Sequence, residues 1–175
     1  MDMIKKALLA SMVLGGTLSP AVAVTGTMSF NTSVAASSCT VPTDQLTREI
    51  TLAEITSGEI NNASEGDRIK SENLTFDFMT CPPTTANVGI QFDFNSDPTN
   101  TSHMANSGSA EGVLLGITNI NDQLQTSGSI VQSTDFDPNT GTGTVNAKVS
   151  AYKVGSAPPV PGTIESTATI TIVAQ

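Results

Sequence analysis

Between Asn87 and Asn95 the sequence reads NVGIQFDFN, a strict alternation of Val88, Ile90, Phe92 and Phe94 with Gly89, Gln91 and Asp93. A period of two puts one set on each face of an extended strand, so this stretch is a strand with one buried face. The pattern recurs along the chain. Arg48 to Ile55 carries Ile50 and Leu52 on one face, and Glu72 to Cys81 carries Leu74, Phe76 and Phe78. Val113 to Ile120 forms a further strand, and Thr144 to Tyr152 aligns Val145, Ala147, Val149 and Ala151. The last strand, Gly162 to Gln175, aligns Ile164, Ala168, Ile170, Ile172 and Ala174. Met79 breaks the parity of its strand and predicts a bulge or twist before Cys81. Polar or glycine-rich segments at 59–67, 96–112 and 124–144, and a stiff connection with Pro158, Pro159 and Pro161, separate the strands. No stretch after residue 23 has a helical period. Six or so strands in about 150 residues predict an all-β fold, a β-sandwich.

One alternating stretch stands apart. Val24 to Ser38 places Val24, Gly26, Met28, Phe30, Thr32 and Val34 on one face and Thr25, Thr27, Ser29, Asn31 and Ser33 on the other. It follows a segment with the marks of a secretory signal peptide, residues 1–23. Lys5 and Lys6 form a basic start, Ala7 to Leu18 an apolar run, Pro20 a helix break and Ala21-Val22-Ala23 a small-x-small cleavage site. The apolar run is too short for the roughly 20 residues of a membrane span. Cleavage leaves 152 of 175 residues, enough for one domain with a sizeable core. An amphipathic strand at the new terminus can pair within its own fold or with another molecule.

Loss of Lys5, Lys6 and Asp2 leaves five of seven basic and fifteen of sixteen acidic residues, a net charge of −10. Such a surface is a poor partner for nucleic acid. Two cysteines behind a signal peptide, Cys39 and Cys81, predict one disulfide in an oxidising compartment. A metal site would need more ligands, and His103, in a polar loop and expected to be solvated, is the only histidine. Asp135-x-Asp137-x-Asn139 faintly resembles a calcium loop, but Thr140 and Asn146 stand where glycine and a bidentate acid are needed, so it reads as a turn. No nucleophile–base motif is present, and neither an enzyme nor a cofactor or small-molecule substrate is expected.

The order of these features carries a resemblance. A signal peptide, a short alternating extension, Cys39 at its end, Cys81 closing a strand, and a terminal strand opening at Gly162 together resemble a pilin of the chaperone–usher pathway, the type 1 fimbrial subunit family. The stretches AEGVLLGITN and NAKVSAYKVGSAPPVPGTIESTATITI are similar to that family's central and terminal segments. The chain departs from it at Ala174, where a tyrosine is usual, and at Thr32, where a glycine is common.

The resemblance implies an incomplete immunoglobulin-like sandwich, residues 39–175, that lacks its last strand, preceded by a donor-strand extension, residues 24–38. Val24, Gly26, Met28, Phe30, Thr32 and Val34 would then fill a neighbouring subunit's groove. Gly162, Ile164, Ala168, Ile170, Ile172 and Ala174 would line the groove that receives a strand. The implied partners are neighbouring pilin subunits, a periplasmic chaperone and an outer-membrane usher, with export through the periplasm to an adhesive surface fimbria. The alternative is a self-contained, lectin-like secreted module. Mass analysis of the exported chain is expected to give a protein starting at Val24 and two hydrogens lighter than the dithiol. Replacing both Cys39 and Cys81 by serine should cost roughly 4 kcal/mol in urea unfolding, the closure entropy of a loop this long.

Overall fold

The computed structural model describes residues 23–33 and 39–175. Residues 1–22 and 34–38, and with them the signal segment and Val34, lie outside the described residues. The strands are β1 (Ala23–Ser33), β2 (Glu49–Thr56), β3 (Arg68–Phe78), β4 (Val88–Phe94), β5 (Val113–Asn119), β6 (Leu124–Gln125), β7 (Ser129–Gln132), β8 (Gly143–Lys153) and β9 (Thr163–Ala174). They form two sheets, ordered β2-β1-β9-β4-β7 and β3-β8-β5-β6. The inward faces carry the predicted residues. Leu74, Phe76 and Ile90 and Phe92 are fully buried, as are Val145, Val149, Ile164 and Ile170.

Several expectations are corrected. Two short helices occur, α1 (Thr43–Leu46) and α2 (Ser57–Asn62), the second running into the start of the 59–67 segment read as a polar loop. Four to six residues are too few to show a helical period. What specifies α2 is a capping box: the Glu59 N–H donates to the Thr56 hydroxyl at 3.2 Å, and the Thr56 N–H donates to the Glu59 carboxylate at 2.8 Å. Hydrogen bonds from Lys70 and then Thr56 hold the Glu59 carboxyl down at about 2. β3 starts four residues earlier than its apolar alternation, because Arg68–Ser71 pair with β8 at the sheet edge, where no apolar signal is required. Its ladder shift lies between Arg68 and Lys70, not at Met79. Met79 instead leaves the strand half-exposed and bridges Thr40, next to the disulfide that joins Cys39 to Cys81. The weakly patterned 124–144 segment contributes β6 and β7. At Asp137 the chain makes the expected turn, in which the Asn139 N–H donates to the Asp137 carboxylate at 2.9 Å.

His103 is the clearest correction. It is half-buried rather than solvated, with its ring edge-on to Tyr152 at 5.1 Å, and neither ring nitrogen has a hydrogen-bond partner among the described residues. Gly116 makes room for the neighbours of this ring: a Cβ there would lie 2.6 Å from Leu124 Cδ1 and 3.2 Å from Tyr152 Cε2. Burial lowers the His103 pKa, partly opposed by Asp97. The unfolded chain therefore takes up this proton first. Stability should be level above the ordinary value of 6.5 and fall as the pH drops below it. The carboxylates of Asp122, Asp135 and Asp137 are held below their usual value, so their losses come at more acid pH. Urea titrations from about pH 7.5 to about pH 5 should show a falling midpoint in the wild type and a flatter one in His103→Phe, the window of histidine titration.

Candidate subunit-binding groove

β1 is the second strand of a five-stranded sheet, held on both sides by segments distant in sequence. On one side it runs antiparallel to β2, pairing Val24 with Ile55, Gly26 with Leu52 and Met28 with Ile50. On the other it runs parallel to β9, from Thr25 opposite Thr163 to Ser33 opposite Thr171. Every other strand pair among the described residues is antiparallel. Taken out, β1 would leave β2 and β9 about 9.5 Å apart, twice the normal strand spacing, with a row of unpaired backbone groups on each lip.

The period-two reading of β1 holds where its side chains are described. Val24, Met28 and Phe30 are each 1 % exposed and Gly26 is buried, while Thr25, Ser29 and Asn31 face outward. Thr32 pairs with Ile170 through its backbone. Gly26 sits where the strand passes close to Leu52 of the adjacent β2 and to Leu115 of the facing sheet. A Cβ there would lie 3.1 Å from Leu52 Cδ1 and 3.7 Å from Leu115 Cδ2. Phe30 completes a triangle of rings, 6.4 Å from Phe76 of the facing sheet and 6.2 Å from Phe92, which are themselves 6.0 Å apart. Ring pairs at these separations contribute about 0.5–1.5 kcal/mol each beyond the area they bury. The Phe30 N–H donates to the Arg48 carbonyl at 3.1 Å, and the Arg48 guanidinium lies 5.3 Å above the Phe76 ring. Burial lowers the Arg48 pKa, opposed by the nearby Asp44. Burying Val24, Met28 and Phe30 contributes roughly 4.5–9 kcal/mol gross.

On the β9 side, Ile164, Ala168, Ile170 and Ile172 point into the sandwich at 0–3 % exposure. Ala174 lies past the end of the β1 ladder, half-buried and paired with Val88 of β4. Gly162 precedes β9 and stands outside the groove. A Cβ there would come within 2.4 Å of Ser109 Oγ and 2.7 Å of the Ala110 nitrogen, so its role is to let the 107–111 loop pack on the strand's start. Sequence reasoning missed Ser166, which shares the inward parity but is polar. It is 6 % exposed and satisfied, its hydroxyl donating to the Ala105 carbonyl at 2.9 Å. It also missed the second lip, Ile50, Leu52 and Ile55, because alternation marks a buried face without saying which strand it meets.

A family model described as fimbrial protein matches residues 28–175, from the middle of β1 to the last residue. The chain belongs to the fimbrial protein family. No curated protein matches it significantly. Among solved structures, a subunit of a chaperone–usher pilus, from work on the molecular basis of rod uncoiling, is similar over 97 % of this chain and 100 % of its own, with a TM-score of 0.65 at 14 % identity. The P pilus rod subunit PapA is similar over 78 % of this chain and 99 % of its own, with a TM-score of 0.60 at 14 % identity. At such identities the likeness speaks for the immunoglobulin-like fold, and the family match speaks for a structural pilus subunit that polymerises with other pilins into an extracellular surface fimbria. In this fimbrial chain the slot between β2 and β9 is filled by β1 of the same chain. Phe30→Ala should cost the isolated chain about 3–5 kcal/mol in urea unfolding, the usual loss for a buried phenylalanine, whereas Ser29→Ala on the outer face should cost little.

Proposed function

We propose that this fimbrial subunit assembles by donor-strand exchange, with Val24 to Val34 given to a neighbouring subunit and the slot between β2 and β9 receiving a strand in turn. The observation that carries this is the position of β1. It holds an interior place in the sheet, yet it joins the rest of the chain through residues 34–38 alone and shares no hairpin with either neighbour. A strand held by side-chain burial and ladder hydrogen bonds, with no turn to either side, can be replaced by the same strand from another molecule. Main-chain hydrogen bonds then supply affinity and the inward side chains supply register. An unfilled slot exposes unpaired edges and apolar walls, which favours a strand-lending chaperone in the periplasm and handover at an outer-membrane usher on the way to the cell surface. The fibre so built supports adhesion, and no catalytic or cofactor role is proposed.

A second reading, a self-contained secreted binding module, draws support from β1 lying in its own chain's slot. Deletion separates the two. A mature chain lacking Val24 to Ala35, co-expressed with a cognate chaperone, is expected to be captured and to accept a strand from another subunit, but to donate none, so that it terminates growing fibres. A truncated chain that binds no chaperone, and that a peptide of residues 24–37 restores only as a closed monomer, would support the module instead.

A further inference from the structure

The geometry points to Asn106 as the residue that positions the first half of the receiving edge, Thr163 to Thr167, for strand capture. The inference rests on the donor-strand reading above and adds to it a residue outside the slot that governs acceptance without governing donation.

β9 has two neighbours of unequal length. Its ladder with β4 covers only Ala168 to Ala174, opposite Phe94 to Val88. Thr163 to Thr167 therefore has no β4 partner, and its only ladder among the described residues is with Thr25 to Ser29 of β1. When the slot stands open for an incoming strand, that half of β9 keeps no strand partner at all. Such an edge frays, and it must be ordered again before it can receive a strand, which costs conformational entropy.

The 104–110 segment takes the place of the missing strand. The Ser107 and Ala110 N–H groups donate to the Glu165 and Thr163 carbonyls at 2.8 and 2.9 Å. The Thr163 N–H donates to the Ser109 hydroxyl at 3.2 Å. The Glu165 N–H donates to Asn106 Oδ1 at 2.8 Å, so a side-chain amide takes the role of a strand's peptide carbonyl. The same Oδ1 accepts from the Gly108 N–H at 2.8 Å, and Nδ2 donates to the Ala110 carbonyl at 2.8 Å. One half-buried side chain thus shapes the loop and joins it to β9. Gly108 lets the two backbones meet, since a Cβ there would overlap the Thr163 carbonyl. The segment is fixed at its other end as well. The Met104 N–H donates to the Leu115 carbonyl of the facing sheet at 2.8 Å, and the Ala105 N–H to the Asn95 carbonyl at 2.7 Å. None of these contacts involves β1, so they hold Thr163 to Thr167 extended while the slot is open.

Acceptance and donation can be measured separately. The full mature chain, in complex with a cognate chaperone, is mixed with a labelled peptide of residues 24–37, and the rate of peptide capture is followed. Asn106→Ala leaves the Glu165 N–H unpaired and is expected to slow capture roughly tenfold, the effect of one unmet hydrogen bond. Asn106→Asp keeps the accepting oxygen and should stay within about threefold of the wild type. Ser109→Ala, at an exposed position, should slow capture by less than Asn106→Ala and in the same direction. As donors to a wild-type chaperone complex, all three variants should insert at the wild-type rate. Amide hydrogen exchange in the complexes should be faster at Glu165 in Asn106→Ala and unchanged at Val149 of β8. Should Asn106→Ala give no complex, Ser109→Ala decides by the same two rates. Capture at the wild-type rate, an aspartate variant as slow as the alanine one, or equal slowing of acceptance and donation would each overturn the positioning role and leave the donor-strand reading standing. A wild-type complex that never takes up the peptide would overturn that reading, and this inference with it.

Discussion

The structure depends on the burial of one strand between two others. β2 and β9 are too far apart to pair with each other, and β1 alone bridges them. It satisfies two rows of backbone groups and covers the floor formed by Leu115, Phe76 and Phe92. The cost of leaving such a slot open is the sum of unpaired amides, exposed apolar surface and a lost ring triangle, and none of these is tolerated in water for long. A strand is therefore always needed there, and in this structure the chain's own β1 supplies it.

Two features set β1 apart from the domain it completes. Among the described residues no tight turn ties β1 to β2 or β9, and the described chain resumes at Cys39. The domain is also stapled independently of β1. The Cys39–Cys81 disulfide, the Thr40–Met79 bridge and the long β3–β8 ladder all lie within residues 39–175. Losing β1 opens a slot but leaves the facing sheet paired.

The fine structure of the groove follows from shape. Gly26 marks where β1 passes close to Leu52 and Leu115, and Phe30 marks where a deep ring site must be filled. Ser166 shows that the receiving wall is not wholly apolar. One inward position of β9 is polar and is satisfied by the Ala105 carbonyl, a contact that ties the long 96–112 loop to the strand.

The sequence by itself determined the strands with a clear period of two, including β4, β8, β9 and the face that β1 buries, because alternation against a core is a local signal. It also pointed to the disulfide, since only two cysteines were present. It did not reveal α2, whose capping box is too short to show a period, or β6 and β7, which pair at edges where polar residues suffice. It misplaced His103, because its burial depends on where the 96–112 loop packs against Tyr152 of β8, a contact distant in sequence. Which strands flank β1, and that its own chain fills the slot in parallel with β9, were decided only by tertiary structure. Alternation states that a face must be buried, while the partners on either side, β2 antiparallel and β9 parallel, decide where that happens and in which direction.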